Sequence, residues 1–446
     1  MVTADSECRG GLIRLKDFLR DRGRQNSSAI ERKPWRATIG KIGRLEEKYS
    51  PVSNDTESDR FPEPTMLTLP LNRRIQKHVR TDSVAFAVSG MIRPKNNDPD
   101  KSDGSSNMVE FKKRIESSTY LSPFKNFEPH QGEVEIRWDP LTGLTSRVVR
   151  FPTRRLERPD LGQAVSLSAA AKCPFCAENI GAMTARLDSR VFGCERLQHE
   201  GVTVIPNLIS FDKYALVAII SKEHYLTMRD LADKGVLMKG IKALIEGFRR
   251  IRMGDGRVRF FSINCNYMPM SGGSIVHPHM QGIAGEYPTN FHRMTVEGSK
   301  SFFQRNRTPF WKALMEEEKR LGERFVSDAG NVFWYTPFAP KGTMDVAWSL
   351  SGPSLFSLSD DEWAEFGRGL GKVLCYFDDE NIAGFNLSFF TAEEDEAHFL
   401  ANGRIIARRF LPPANAADVN YLEKIHMESV CLLSPEEVAR RLRERW

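Results

Sequence analysis

Gly272-Gly273-Ser274-Ile275-Val276-His277-Pro278-His279-Met280-Gln281 sets two histidines one residue apart behind a glycine-rich turn. On an extended segment alternate side chains leave on one face, so His277 and His279 are expected to project side by side. Pro278 between them fixes φ and stiffens the backbone that aims both rings. Gln281 shares that face and brings an amide that can donate to a phosphoryl oxygen. An exposed imidazole followed by an amide donor suits nucleophilic attack on phosphorus, with the histidine carrying a covalent phosphoramidate. A bare His-x-His also occurs at strand ends with satisfied side chains, so the rest of the chain has to decide.

Cys173-Pro174-Phe175-Cys176 has the spacing that lets two thiolates chelate one tetrahedral zinc. A redox pair or two buried cysteines share that spacing, but no thioredoxin-like βαβ pattern surrounds it. Zinc would need two more ligands. His224 follows an apolar run and stands at a strand end; His277 is the other candidate. His199 is an alternative to His224, although Leu197-Gln198-His199-Glu200 reads as a solvated loop. A Cys2His2 site with one ligand two residues before the nucleophile would anchor the catalytic strand and leave no open metal position.

The surrounding elements read coarsely as strand, strand, helix, strand, strand. Residues 202–206 and 214–220 are β-branched, apolar runs bounded by turn residues. Leu237, Ile241, Leu244, Ile245, Phe248 and Ile251 recur at helical spacing and predict an amphipathic helix lying on a sheet. Residues 259–263 form the next strand, before the glycine-rich turn and the His-Pro-His strand. A weaker copy follows: strands at 332–337 and 344–348, then a capping box at Ser359-Asp360-Asp361-Glu362. That box opens a helix through Trp363, Phe366, Leu370 and Leu374, and strands follow at 385–390 and 404–408. The last helix starts with Ser434 as N-cap, Pro435 at N1 and Glu437 completing a box. His398 near the second copy reads as a surface histidine.

From about residue 133 to its end the chain resembles the galactose-1-phosphate uridylyltransferases and their relatives in the histidine-triad superfamily. The resemblance opens with Asp139-Pro140-Leu141-Thr142-Gly143, then Pro152-Thr153-Arg154 and Arg158-Pro159. Cys173-Pro174-Phe175-Cys176, Ile205-Pro206-Asn207 and Lys222-Glu223-His224 follow in family order, then Asn266 eleven residues before His277, and Ser274-x-x-His277-Pro278-His279-x-Gln281. The resemblance implies an α+β fold of two tandem histidine-triad-like units, antiparallel sheets with packed helices, the second without catalytic histidines. Residues 121–300 would form the catalytic half and 301–446 the degenerate one. It further implies structural zinc, one per chain, on Cys173, Cys176, His224 and His277, and a nucleotidyl-accepting nucleophile at His279. Gln281 would steady phosphoryl oxygens, and Ser274 would contact the outgoing or incoming phosphate. Arg154 and Arg158 fall at phosphate-facing positions, work that suits guanidinium forks. Asn207 and Asn266 look like nucleotide-side hydrogen bonders, with a turn or cap role as the plain alternative. A homodimer is implied as well.

The chain also departs from the family. Members with a second metal carry a C-terminal His-x-His segment; Asn402 and Arg404 stand at the aligned positions here, which argues against that metal. Hexose-binding members present a glutamate and a glutamine before the last helix, where this chain has Lys424 and Val430. Losing an amide that reads sugar hydroxyls weakens hexose recognition, so the acceptor is not expected to be galactose 1-phosphate. Met280 replaces a glycine of many members and is expected to narrow the space beside the nucleophile.

At 446 residues the chain is long enough for two or three domains with a substantial core. No apolar run approaches the roughly 18 to 20 residues of a membrane span, and the N-terminus has no apolar leader segment. Seven cysteines with one close pair read as a reduced, cytoplasmic setting rather than a disulfide framework. Residues 1–45 hold 11 Lys/Arg against 5 Asp/Glu, an excess equal to the whole chain's +6. Such a basic arm is more often a solvated tail than a nucleic-acid contact, and Asp5, Glu7, Asp17 and Asp21 interrupt it as a transit peptide. With residues 94–107 free of apolar side chains other than proline, residues 1–120 read as a largely disordered extension, regular structure being expected to start near residues 111–117.

Two classes of function follow. One is a nucleotidyltransferase acting on a nucleoside diphosphate sugar and a phosphate acceptor, with phosphorolysis of a sugar nucleotide or dinucleotide polyphosphate as a close variant. The other is a non-catalytic nucleotide-binding protein, which would have no need of a nucleophile.

Overall fold

A computed structural model describes residues 108–149, 157–393, 395–411 and 416–446. The basic arm, residues 94–107 and Arg154 lie outside the described residues. Regular structure begins at Lys113, within the expected 111–117: Lys113–Ser122 is a strand (β1), paired along its length with β2 (Glu128–Trp138).

The core of the molecule is a ten-stranded antiparallel sheet made of two like halves. The first half holds β4 (Leu197–His199), β5 (Val202–Pro206), β6 (Tyr214–Ile219), β7 (Phe260–Tyr267) and β8 (His279–Gly285), in spatial order β4-β5-β6-β8-β7. The second holds β9 (Phe325–Ser327), β10 (Phe333–Tyr335), β11 (Asp345–Ser349), β12 (Gly384–Phe390) and β13 (Asn402–Arg408), in the order β12-β13-β11-β10-β9. Counted from each half's first strand, the order is the same. The halves join edge to edge through β7 and β12, where Asn266 pairs with Asn386 and Asn264 with Ser388.

Each half carries one long amphipathic helix on the same sheet face. Leu237, Ile241, Leu244, Ile245, Phe248 and Ile251 of the Val236–Gly254 helix are all buried against Phe261, Ile263, Cys265 and Tyr267 of β7 and their neighbours. The Asp360–Asp379 helix opens with the full capping box between Ser359 and Glu362 and buries Trp363, Phe366, Leu370 and Leu374. Strand alternation then sends Ser262, Asn264 and Asn266 of β7, with Asn386 and Ser388 of β12, to the opposite face. In the second half two further helices, Asn290–Asn306 and Phe310–Leu321, cover that face with an aromatic cluster including Phe302, Trp311, Phe333 and Tyr335.

A four-stranded sheet, β1-β2-β3 (Thr145–Val149) completed by the parallel strand Ser429–Cys431, joins the two ends of the described fold. Buried Arg137 of β2 pairs with Glu135 at 2.7 Å and with Glu436, at the start of the Pro435–Arg443 helix, also at 2.7 Å. Ser434 caps that helix by accepting from the Glu437 amide, but the expected box is not reciprocal: the Glu437 carboxylate turns to Arg440 and Arg441. Two histidine readings change. His199 lies in the short edge strand β4, not in a loop, and His398 is buried beside Glu396 rather than exposed.

Met280 points away from the face that carries His279. It is fully buried under the Val236–Gly254 helix, where a Cβ on Gly240 would stand 2.8 Å from its sulfur and 2.6 Å from Ile220 Cγ2. The expected narrowing beside His279 therefore does not occur; strand parity puts positions 279 and 280 on opposite faces. Gly240→Ala is expected to destabilise the protein by about 1–2 kcal/mol, overpacking outweighing the gain in helix propensity. Denaturant unfolding checks it, and Met280→Ala in the same chain should recover part of the loss. A neutral Gly240→Ala would mean that the helix does not sit this close.

Candidate functional site

The site grows from the turn that enters the short helix Ala177–Met183. Cys176 is its N-cap residue, and the Cys176 amide donates to the Cys173 carbonyl at 3.3 Å, closing a tight turn that sets both sulfurs on one side. The Phe175 amide donates to Cys173 Sγ at 3.4 Å, and Asn179 Nδ2 to the Cys173 carbonyl at 2.9 Å. His224 approaches from the loop after β6, and His277 from the segment that leads into β8. Cys176 Sγ lies 3.4 Å from His224 Nδ1 and 3.6 Å from His277 Nδ1. The four donor atoms of Cys173, Cys176, His224 and His277 all lie within 4.8 Å of one another and could hold a metal ion.

Both histidines are braced from behind. His277 Nε2 meets the Ser221 carbonyl at 2.8 Å, an acceptor only, so Nε2 carries the proton and Nδ1 turns its lone pair to the thiols. His224 Nε2 meets Ser168 Oγ at 3.2 Å. Burial pushes the His277 imidazole pKa down, which keeps it neutral as a ligand must be. Burial and the neighbouring Cys173 push the Cys176 thiol up to about 11. Two crowded thiols of this kind favour a bound cation, which offsets the charge of the thiolates it coordinates. His199 is not among the donors.

His279 is the first residue of β8, and its ring, like that of His277, lies against Phe175. Its Nδ1 donates to the His277 carbonyl at 2.8 Å, which leaves Nε2 with a free lone pair. The ring stands edge-on to Phe175 at 5.2 Å, so the turn that carries Cys173 and Cys176 also walls the histidine. Burial pushes its pKa down. Gln281 is two residues along the same face and pairs with Asn264 of β7. The same antiparallel course leads on toward Asn266, and Cys265 Sγ donates to the His279 carbonyl at 3.4 Å. The glycine-rich turn folds back over Asn266: a Cβ at Gly273 would lie 2.7 Å from the Asn266 carbonyl. Ser274, exposed, is at the rim of that turn.

The other expected contacts are placed differently. Arg158 donates to the Asp378 carboxylate and carbonyl, both at 2.7 Å, at the end of the Asp360–Asp379 helix, so a phosphate contact would first have to break that pair. Asn207 accepts from the Ile209 amide at 3.3 Å, the turn role that was its plain alternative. In the second half Asn402 Nδ2 donates to the Leu400 carbonyl, and Arg404 pairs with buried Asp345 at 2.9 Å over the Phe291 ring. Sequence reasoning missed Phe175 as a wall, and Ser168 and Ser221 as braces. It also missed the polar face Ser262-x-Asn264-x-Asn266 with Asn386-x-Ser388, although period-two polar residues in apolar strands are a readable signal.

No protein-family profile matches the chain. An uncharacterized protein of Archaeoglobus fulgidus is 31% identical over 338 residues, which cover 76% of this chain and 99% of that protein. Among solved structures, an ADP-glucose phosphorylase from Arabidopsis thaliana with bound ADP-glucose matches 70% of this chain and 99% of its own, at 17% identity and a TM-score of 0.54. A second Arabidopsis thaliana structure, described as a galt-like protein, matches 69% of this chain and 98% of its own, at 17% identity and a TM-score of 0.52. At these identities the two structures establish a shared fold.

Proposed function

We propose that this chain, which belongs to one family with the uncharacterized archaeal protein, is a nucleotidyl-transferring enzyme that works through a nucleotidyl-histidine at His279. The observation that carries the reading is the hydrogen bond from His279 Nδ1 to the His277 carbonyl, which leaves Nε2 as an unprotonated nucleophile. Nε2 attacks the α-phosphorus of a nucleoside diphosphate compound, and the bond to the bridging oxygen breaks as the other phosphate leaves. A phosphate acceptor then attacks the phosphorus, and the electron pair of the P–N bond returns to Nε2. Gln281 and Asn266 donate to the non-bridging oxygens, where charge grows in each transition state. Ser274 contacts the departing or arriving phosphate from the rim of the turn. Arg154, Arg158 and Asn207 would serve as further phosphate or nucleotide contacts; for Arg158 that requires release from Asp378.

Cys173, Cys176, His224 and His277 suit zinc: two soft thiolates and two imidazoles would fill its four positions and leave none open. Such a zinc would supply rigidity, with His277 as a ligand steadying the backbone carbonyl to which His279 is hydrogen-bonded. All six described cysteines are free, in keeping with a reduced, cytoplasmic setting, and among the described residues no helix is long and apolar enough to cross a membrane. We take the working form to be a homodimer.

The acceptor is inorganic phosphate or a phosphorylated compound other than galactose 1-phosphate. Val430 lies on the Ser429–Cys431 strand opposite Arg147, and Lys424 is exposed. Neither offers the amide and carboxylate that read a hexose. The fold shared with an ADP-glucose phosphorylase supports the phosphorolytic variant. The test is incubation with sugar nucleotides and dinucleotide polyphosphates, each with inorganic phosphate or with sugar phosphates, and product analysis. Nucleotide release with at least one acceptor is expected, together with little exchange between UDP-glucose and galactose 1-phosphate. Brisk uridylyl exchange would overturn the changed acceptor. Nucleotide binding with no turnover on any pair would favour the binding-protein reading.

A further inference from the structure

The second half has no histidine at the positions equivalent to His279 and Gln281, yet a polar chain runs from it through the seam into the first half. Asp418 accepts from Arg408 Nε at 2.7 Å, and Arg408 donates through Nη1 to Asn386 Oδ1 at 2.7 Å. Asn386 Nδ2 donates to Asn266 Oδ1 at 2.6 Å and to the Ser271 carbonyl at 2.8 Å. Asn386 and Asn266 are direct cross-strand partners on β12 and β7, which makes the contact part of the sheet register.

The polarity of this chain is forced. A carboxylate only accepts and a guanidinium only donates, so Arg408 must meet the oxygen of Asn386. The Asn386 amide nitrogen then faces the other way, toward a backbone carbonyl and Asn266. Asn266 must answer with its oxygen. Its own Nδ2, with two N–H bonds, is left over, and among the described residues nothing accepts from it. An asparagine free to flip would offer a phosphoryl group its oxygen half the time, a repulsive contact; one locked in this sense always offers a donor.

We propose that Asp418, Arg408 and Asn386 are positioning residues that lock Asn266 as a hydrogen-bond donor toward the phosphoryl group held at His279. The duplicated half thereby contributes to the active half's chemistry without a catalytic residue of its own. This inference rests on the reading of His279 and Asn266 given under the proposed function.

The test is a mutant cycle read on single-turnover formation of the nucleotidyl adduct and on the Kd of UMP and AMP. Asn386→Asp is nearly isosteric and keeps an acceptor for Arg408, but it also presents an oxygen to Asn266. Asn266 must then flip to donate to it and show its own oxygen to the phosphate. Asn386→Asp should therefore slow adduct formation on the order of 10²-fold or more, as much as Asn266→Ala, the usual scale for one lost charge-stabilising donor. Asn386→Ala, which only unlocks Asn266, should cost roughly 10-fold on the same scale. In an Asn266→Ala background neither change at Asn386 should matter further. A scaffolding role predicts the reverse: Asn386→Asp milder than Asn386→Ala, both accompanied by a lower Tm, and both still costly without Asn266. That pattern, or an unaffected Asn386→Asp, would overturn the proposal.

Wild type serves as the control that separates the two claims. If it binds nucleotide but forms no adduct, the proposed chemistry fails while the cycle on Kd still judges the relay. If it neither binds nucleotide nor forms adduct, the relay falls together with that reading.

Discussion

Cys173→Ser and Cys176→Ser are each expected to lose bound zinc and a large part of the stability at once. The four donors sit over a small satellite core of Phe175, Ile205, Val217 and Ile219, too few apolar side chains to hold the cysteine turn without a cross-link. Metal analysis under reducing conditions should give close to one zinc per wild-type chain and much less in either variant. Tm should fall on the order of 10 °C, at roughly 2–4 °C per kcal/mol for domains of this size. Activity should fall with it, because Phe175 walls His279 and the His277 backbone orients it. His277→Ala should show the same joint loss. A wild type without zinc, or two serine variants that keep a full complement, would refute the four-ligand assignment.

His279→Ala should do the opposite: zinc content and Tm unchanged, turnover gone. Its side chain is outside the ligand set, and among the described residues its polar contact is to a backbone carbonyl that remains. Removing a covalent nucleophile costs on the order of 10⁴-fold or more in turnover. Gln281→Ala should retain the reaction but run it about 10²-fold slower, as befits the loss of one charge-stabilising donor. Steady-state rates beside metal analysis decide the matter. A His279→Ala protein that turns over at a tenth of the wild-type rate would exclude His279 as nucleophile.

The duplicated architecture was legible because each half repeats two strong local signals. Leu237 to Ile251 at helical spacing and the Ser359–Glu362 capping box mark the two helices, and β-branched runs mark the strands on either side. The Cys173–Cys176 pair was legible from its spacing, whereas the choice of His224 over His199 came from the family resemblance; the structure brings Cys173, Cys176, His224 and His277 together. Tertiary partners were not legible. Arg158 carries no local mark of Asp378, 220 residues away, and a three-residue strand such as β4 exists only because β5 offers an edge. The Asn266–Asn386 contact spans 120 residues, and only the register of the seam brings it about. Met280 is a different case: the alternation that put His279 and Gln281 on one face already required position 280 to face the helix.

The most direct test of the account is to withhold the acceptor and look for the intermediate itself. Wild-type protein is incubated with nucleoside diphosphate sugars and dinucleotide polyphosphates, weighed intact by mass spectrometry, and digested to locate any added nucleoside monophosphate. The account predicts one adduct per chain on the peptide containing His279, labile to acid and fairly stable to base as a phosphorus–nitrogen bond is, and discharged when the acceptor is added. Turnover without an adduct, or a nucleotidyl group mapped to any other residue, would contradict it.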